Sequence, residues 1–231
     1  MSTPSISPEY SALKRKAYTI LFVFILLLSI IFWLLSGTIL YWEAWIYILT
    51  YTIFKVFLIQ FLIANNLELL KKRLSFKEKE AKQQKLIWFG GMNYVLMYGI
   101  PAIDRRFEWS IMPYWLIIVG LIILITGMYI QYKVHKSNPW SSVEIGVYED
   151  QKVIDTGVYG IVRHPLYLAG WLGAIGTVLL LGSYWGLIAA ISWLIMFILR
   201  LLDEEKMLIR DLQGYADYCK KVKYRIIPGI F

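Results

Sequence analysis

Residues 18–40 read YTILFVFILLLSIIFWLLSGTIL, and this uncharged run decides the fold class of the chain. It follows the basic triplet Lys14-Arg15-Lys16. A helix of this length can cross a hydrocarbon core of about 30 Å. The run is longer than the apolar part of a secretory signal, and no small-residue cleavage pattern precedes Tyr41. It therefore predicts a retained first membrane span.

Five further apolar runs are candidates for membrane helices, and the chain is 58% hydrophobic with only 17% charged residues. The third of the six runs holds Gly90, Gly91, Asn93, Gly99 and Pro101, so it also suits a kinked or re-entrant element. We predict an all-α fold, a polytopic integral membrane helical bundle of about six spans. The five further runs are 44–63, 86–103, 113–132, 166–181 and 185–202.

The distribution of basic residues predicts the orientation in the membrane. With the N-terminus inside, the inner segments contain 21 of the 24 Lys and Arg residues, and the outer loops contain only Arg105 and Arg106. Since basic residues accumulate on the cytoplasmic side, both termini are predicted to be cytoplasmic. The net charge of +8 then lies at the inner face, where it favours anionic lipid headgroups and not nucleic acid.

Cysteine and histidine are too scarce for a metal site built from these residues. Cys219 is the single cysteine of the sequence, so no intrachain disulfide can form. The two histidines, His135 and His164, do not make a convincing metal cluster, and we predict no metal.

The sequence is predicted to form two regions, with a boundary after residue 132. Residues 1–132 contain four predicted spans and a basic cytoplasmic loop at 65–85, which is interpreted as a solvated helix or as a docking surface for lipid or a partner. Residues 133–231 begin with a long loop rich in turn residues, which is typical of a binding loop. A membrane hairpin and a charged C-terminal helix follow. We predict that this second region is catalytic, with a cytoplasmic cofactor pocket.

Polar side chains converge at the inner ends of the last two predicted spans. Pro165 suits the first turn of a helix and favours an extended conformation at His164. On the last helix, Arg200 can pair with Glu204, while Glu205 points about 100° away from Glu204 and is left for another role. Arg can bind a carboxylate, a carboxylate can bind an ammonium or ribose hydroxyls, and aromatic rings can stack on a heterocycle. This set suits a zwitterionic cofactor with an adenine ring.

Several separated motifs in residues 151–231 agree in order and spacing with one known family. The chain resembles the isoprenylcysteine carboxyl methyltransferase family and its bacterial relatives. The spacing around Leu212-Gln213-Gly214-Tyr215 is closer to the bacterial members. The motifs are Thr156-Gly157-Val158-Tyr159, Arg163-His164-Pro165-x-Tyr167, Glu204-Glu205-x-x-Leu208, Gly214-Tyr215-x-x-Tyr218 and Tyr224-Arg225-Ile226-Ile227-Pro228.

The resemblance implies a membrane methyltransferase that uses S-adenosylmethionine and a lipophilic or prenylated acceptor. It also implies a role for particular residues. Arg200, Glu204 and Glu205 are the implied catalytic residues, and Arg200 would face the acceptor. The implied cofactor-binding residues are Gln151, Lys152, Val153, Ile154, Tyr159, Arg163, His164, Pro165, Leu166, Tyr167 and Glu205.

The chemistry of the acceptor stays open at this stage. An acceptor carboxylate needs no general base, and Arg200 would position it. An amine, as in the related phospholipid methyltransferases, must lose a proton, and Glu205 or Glu204 would then be the candidate base.

Two other functions compete with methyl transfer. Sterol reductases share a similar membrane core and comparable C-terminal motifs, which allows a reductase that uses NADPH. A transporter or lipid-binding scaffold is the other alternative, because Lys55 lies within the second predicted span, where a charge often marks a path.

Overall fold

The computed structural model describes residues 8–74, 81–141 and 146–231, and their regular structure is entirely helical. This confirms the all-α prediction. A short 3₁₀ helix, Gly157–Gly160, precedes α6. The α-helices are α1 (Pro8–Ser36), α2 (Trp42–Asn65), α3 (Leu67–Leu74), α4 (Ala81–Phe107), α5 (Tyr114–Ser137), α6 (Pro165–Leu180), α7 (Leu187–Asp211) and α8 (Tyr215–Lys221).

Helices occupy all six predicted spans, and three of those described are long and apolar enough to cross a membrane by themselves: α1, α2 and α5. Helix α6 is apolar but has only 16 residues. The third predicted run forms one continuous helix through Pro101. The chain is thus a membrane protein, while the count of six spans and the cytoplasmic location of the termini stay predictions.

Helix α1 ends four residues before the predicted boundary at Leu40. Gly37 has a φ of +69° and its N–H donates to the carbonyl of Trp33 at 3.0 Å. A glycine in the left-handed conformation is a common helix terminator, because a residue without Cβ adopts it without steric cost. The local glycine therefore overrides the apolar run that continues beyond it.

The predicted basic loop 65–85 is largely helical where the structure describes it. Helix α3 occupies most of its first half, and Lys71 of α3 pairs with Glu9 of α1 at 2.6 Å. Helix α4 begins at Ala81, and residues 75–80 lie outside the described residues. The role of this segment as a docking surface stays a prediction.

Hydrogen bonds between polar turns connect the ends of α2, α4, α6 and α7 at one end of the bundle. Asp104 of α4 is buried and accepts hydrogen bonds from the hydroxyls of Ser110 and Ser183. The Tyr41 hydroxyl donates to the carbonyl of Leu181 at 2.6 Å. Gly182 turns the chain with a φ of +75°, which makes the predicted hairpin between α6 and α7. The opposite ends of α6 and α7 are held side by side, and the candidate site lies there.

Helices α5 and α6 pack closely because glycines line their interface. A Cβ on Gly176 would collide with the backbone of Leu124 and lie 2.8 Å from the carbonyl oxygen of Gly120. A Cβ on Gly173, one turn away, would meet nothing within 4 Å. Gly176 therefore allows the close approach of the two helix backbones.

We expect Gly176→Ala to destabilise the protein by about 1–3 kcal/mol, because the added methyl forces the two backbones apart. The melting temperature in detergent measures this. Gly173→Ala is the matched control and should leave the melting temperature unchanged or raise it, since the helix gains a better helix former without a clash. Equal effects of the two substitutions would contradict this account of the interface.

Candidate active site

A cavity of about 480 Å³ lies at the end of the bundle where α6 begins and the charged part of α7 continues. It is bounded by the loop before α6 and by α4, α6, α7 and α8, and it contains both apolar and charged side chains. All ten of the predicted cofactor residues before α7 line it, and so do Arg200 and Glu204. The ten are Gln151, Lys152, Val153, Ile154, Tyr159, Arg163, His164, Pro165, Leu166 and Tyr167.

The C-terminal tail fixes the backbone just before α6. The N–H of Arg163 donates to the carbonyl of Tyr224 at 2.9 Å, and that of His164 donates to the carbonyl of Arg225 at 2.8 Å. Pro165 is the first residue of α6, and His164 has the non-helical conformation expected before proline. The two side chains are therefore held at the cavity by a segment about sixty residues further along the chain.

Glu205 does not line the cavity; it lies behind Arg163 and His164. Its Oε1 accepts from Arg163 Nε at 2.7 Å and lies 3.3 Å from His164 Nε2. Its Oε2 accepts from Arg225 Nε at 2.7 Å. The Glu205 side chain is only 6% exposed, and both of its oxygens are occupied. Its direct contact with the cofactor stays a prediction, and its position suits a residue that holds others in place.

Arg163 connects Glu205 to α8. Its Nη1 donates to the carbonyl of Val222 at 3.0 Å and lies 3.3 Å from the carbonyls of Cys219 and Lys223. The last carbonyls of a helix have no partner within the helix, and a cation satisfies them well. One buried guanidinium thus joins α7, α8 and the tail around the cavity.

The pKa of Glu205 reflects two opposing effects. Burial raises it, but hydrogen bonds from His164 and Arg225 and the nearby charge of Arg163 outweigh burial and lower it from 4.5 to about 2. The folded state thus holds the ionised form more strongly than the unfolded chain does.

We expect this carboxylate to make the protein sensitive to acid. A group whose pKa is lower in the folded state contributes stability above its unfolded pKa, and this contribution is lost as the pH falls from about 5 toward 2. The contribution is about 3 kcal/mol, since one pKa unit corresponds to about 1.4 kcal/mol. Melting temperatures of the wild type and Glu205→Gln, measured from pH 7 to pH 3, should converge as the pH falls. A constant difference would contradict the assignment.

Arg200 and Glu204, the residues implied to act on the acceptor, lie beside Tyr167. The Tyr167 hydroxyl donates to Glu204 Oε2 at 2.6 Å, and Arg200 is also close enough to interact with this hydroxyl. Arg200 is only 8% exposed although it is charged. Glu204 therefore has a phenol partner, which the sequence alone did not predict, and one face of the cavity presents a cation next to a carboxylate.

The loop before α6, which forms one wall of the cavity, is fixed by residues that were not predicted to belong to the site. Asn138 Nδ2 donates to the Tyr159 hydroxyl at 2.8 Å, and the Tyr218 hydroxyl donates to the carbonyl of Tyr159 at 2.7 Å. The backbone groups of Lys152, Val153 and Ile154 make no hydrogen bond with any residue in the described ranges. These backbone donors and acceptors, without a partner in the part of the chain that the structure describes, can serve a ligand.

Two buried polar atoms at the cavity also lack a protein partner among the described residues: the Tyr215 hydroxyl and the Trp193 indole N–H. Tyr215 is 5% exposed, so water does not readily satisfy its hydroxyl. Burial is the main cause that raises the pKa of this phenol, with the charge of Glu205 acting in the same direction, so it stays protonated. A buried donor without a partner suits a ligand that accepts from it.

Aromatic rings from three helices form a continuous wall along the cavity. Tyr94 of α4 contacts Trp193 with ring centroids 5.0 Å apart, Trp193 contacts Phe197 at 4.9 Å, and Phe197 contacts Tyr167 at 5.2 Å. No sequence pattern pointed to four of the lining residues: Arg73, Tyr94, Trp193 and Phe197. They look like ordinary parts of apolar or basic stretches. By contrast, Tyr215, Tyr218 and Arg225, which also lie at or near the site, belong to the C-terminal motifs and could have been predicted from them.

Metal chemistry has no support from the described residues, among which no group of three or more His, Cys, Asp or Glu could hold a metal ion. The predicted absence of a metal stays a prediction.

Comparisons with known proteins point to membrane methyltransferases. A family model described as Phospholipid methyltransferase matches residues 115–214. Proteins of Oryza sativa subspecies indica and japonica named "Probable protein-S-isoprenylcysteine O-methyltransferase" are each 30% identical over 139 residues, which is 56% of this chain and 73% of theirs. A phosphatidylethanolamine N-methyltransferase of Zygosaccharomyces rouxii is 27% identical over 104 residues, 44% of this chain but only 12% of the yeast protein.

A solved structure supports the fold. The eukaryotic intramembrane Ras methyltransferase, an isoprenylcysteine carboxyl methyltransferase, superposes with a TM-score of 0.53 at 19% identity, covering 96% of this chain and 81% of that one. Nearly the whole described bundle, including the N-terminal helices that carry no motif, thus shares its architecture with that enzyme.

Proposed function

Because this chain belongs to the isoprenylcysteine carboxyl methyltransferase family, we propose that it transfers a methyl group from S-adenosylmethionine to a carboxylate on a lipid-soluble acceptor. One observation carries the proposal: a single cavity is lined both by the loop and α6 residues implied to bind the cofactor and by Arg200 and Glu204. A donor and an acceptor held by these residues would therefore share one cavity.

The cavity suits S-adenosylmethionine on three counts. Its volume of about 480 Å³ falls within the usual range for sites of small ligands. The backbone groups of Lys152, Val153 and Ile154, which have no hydrogen-bond partner among the described residues, can pair with the edge of an adenine ring. The buried Tyr215 hydroxyl can donate to a carboxylate or a hydroxyl of the cofactor.

The bound cofactor supplies a sulfonium methyl group that is already activated. The protein must then align an acceptor with this methyl and exclude water. Arg200 is suited to hold an acceptor carboxylate, because a guanidinium binds the two carboxylate oxygens in a fixed geometry. The apolar wall of Trp193 and Phe197 excludes water and accommodates the acceptor's hydrocarbon part.

An amine acceptor is the second candidate, and Glu204 is the observation that favours it. A carboxylate in the cavity can take the proton that an amine must lose. The match to a phospholipid methyltransferase model agrees with this alternative. The hydrogen bond from Tyr167 occupies one oxygen of Glu204 and leaves Oε1 for such a role.

Methyl-labelled S-adenosylmethionine distinguishes the two acceptors. The purified protein is incubated with an S-prenylated cysteine that has a free carboxylate and, separately, with phosphatidylethanolamine. We expect label in the prenylcysteine, released as methanol by mild base because a methyl ester is hydrolysed. Base-stable label in the phospholipid would favour the amine reaction. Calorimetric binding of NADPH in place of S-adenosylmethionine would instead support a reductase.

We further propose that the cavity opens to the cytoplasm, because it lies at the end of the bundle where the basic segments gather. S-adenosylmethionine does not cross membranes readily, so inverted vesicles should methylate an added acceptor and right-side-out vesicles should not. The reverse pattern would overturn the orientation.

A further inference from the structure

Three basic side chains, Lys55 of α2, Arg73 of α3 and the buried His135 of α5, lie near one another. The charge of Arg73 acts on Lys55, and the charges of Arg73 and Lys55 both act on His135. Among the residues of the described ranges, none of the three forms an ion pair with an Asp or Glu side chain. Lys55 and Arg73 are half-buried, and two like charges held near each other repel, so this arrangement suits a bound anion.

Arg73 is the member of this group that lines the cavity. Its Nη1 donates to the carbonyl of Ser141 at 2.8 Å. Ser141 is held in turn, because its Oγ donates to the carbonyl of Asn138 at 2.8 Å and lies 2.9 Å from His135 Nδ1. A guanidinium has five N–H donors, and in the described part of the chain this carbonyl is its one hydrogen-bond acceptor. Arg73 is thus fixed in position with donors left for a ligand.

Lys55 adds to the positive field at Arg73, since the charges of the two side chains interact. Its Nζ lies 5.2 Å from the ring centroid of Tyr51 and 5.5 Å from that of Phe54. Aromatic faces stabilise an ammonium group only modestly compared with a carboxylate. The lysine is therefore held by its own helix in a place where an anion near Arg73 would stabilise it further.

The surroundings of Arg73 are suited to an amphiphile. From Tyr94, beside Arg73, the aromatic wall runs past Trp193 and Phe197 toward Tyr167 and Arg200. Gly91 of α4 also lines the cavity, and a Cβ there would meet no described residue within 4 Å, which leaves room beside the rings. An apolar chain can lie along the rings while its acidic group contacts Arg73.

We propose that Arg73, supported by Lys55, is the anchor of a second oxyanion site that binds the phosphate or carboxylate of an amphiphile in this cavity. The site is distinct from Arg200, which faces the other end of the aromatic wall. The inference deepens the proposed function and rests on it, because it takes this cavity to be the place where the acceptor binds. It also gives Lys55 a role in place of the transport path considered from the sequence.

The test compares two lipids that differ only in the acidic group. Delipidated protein in an uncharged detergent is titrated with dioleoylphosphatidic acid and with dioleoylglycerol, and tryptophan fluorescence reports binding. We expect phosphatidic acid to bind at least about 10-fold more tightly, which corresponds to about 1.4 kcal/mol. Arg73→Gln should reduce this preference to about 3-fold or less. Equal binding of the two lipids by the wild type, or an unchanged preference in Arg73→Gln, would overturn the proposal.

The control variant is Lys136→Gln, which removes the same charge from an exposed position next to His135. It should keep the full preference, and an equal loss would mean that only the net charge matters, against the proposal. Arg73→Lys should retain part of it. Inorganic phosphate distinguishes the sources of the anion: affinity equal to that of phosphatidic acid would overturn the requirement for an amphiphile.

Calorimetric titration with S-adenosylmethionine separates this inference from the proposed function. Arg73→Gln should bind the cofactor within about 3-fold of the wild type, which also shows that the variant is folded. Failure of the wild type to bind the cofactor, with the lipid preference intact, would count against the proposed function alone.

Discussion

Replacing Glu205 with alanine is expected to abolish measurable binding of S-adenosylmethionine and to destabilise the protein by about 3–5 kcal/mol. The physical reason is that Arg163, His164 and Arg225 all converge on this carboxylate. Its removal leaves the buried Arg163 guanidinium without its counter-ion and releases the segment that carries Arg163 and His164. Calorimetric titration and the melting temperature in detergent measure the two effects.

Two control variants distinguish the positioning role of Glu205 from a general loss of the fold. Asp211→Ala removes a carboxylate from the same helix, but one that pairs with Arg210 at the surface, and both properties should stay at wild-type values. Glu205→Gln keeps the shape and one of the two acceptor oxygens, so it should bind the cofactor weakly and not fail completely. Wild-type affinity in Glu205→Ala would remove the carboxylate from the account of the site.

Replacing Arg200 with alanine is expected to lower kcat/KM for the acceptor by about 10- to 100-fold while the affinity for S-adenosylmethionine stays within about 3-fold. A hydrogen bond to a charged group contributes about 1.5–3 kcal/mol, which corresponds to this range. Steady-state rates with a prenylcysteine acceptor measure the first value, and calorimetry measures the second.

The matched variants for Arg200 are on the same helix. Arg200→Lys keeps the charge but not the forked geometry and should recover only part of the rate. Arg210→Ala changes a guanidinium whose side chain is 75% exposed and should have no effect on turnover. If Arg200→Ala lost cofactor affinity as strongly as turnover, Arg200 would belong to the cofactor site and not to the acceptor site.

Hydropathy predicted the positions of the helices well, because an uncharged run of twenty residues has few alternatives in a membrane. It placed boundaries less well. Helix α7 continues to Asp211, beyond the end of the predicted span at 202, and α1 ends at Ser36 and not at Leu40, because an average over the run does not detect the local backbone conformation of Gly37. The glycines and proline of the third run were also compatible with a broken element, whereas the structure has one continuous α4.

The pair Glu204 and Glu205 shows how far sequence reasoning reaches within the site. Helical geometry correctly separated their directions by about 100°. It could not identify their partners, because Tyr167 comes from α6 and Arg225 from the tail. Such contacts depend on tertiary packing between residues that are distant in the chain.

Arg73 illustrates the same limit for the N-terminal region. In the sequence it is one of several basic residues near Lys71 and Lys72, and all three suit a solvated helix. In the structure Lys71 pairs with Glu9 at the surface, while Arg73 turns toward the cavity and Ser141. Only the packing of α3 against its neighbours distinguishes the three.

The central claim is that one cavity brings a sulfonium donor to the carboxylate of a lipid-soluble acceptor. The most direct measurement is transfer of label from methyl-labelled S-adenosylmethionine to a prenylcysteine, with the amide of the same compound as the matched acceptor that lacks a carboxylate. We predict base-labile label in the free acid and none in the amide. Equal labelling of both, or no label in either while phosphatidylethanolamine is methylated, would contradict the account.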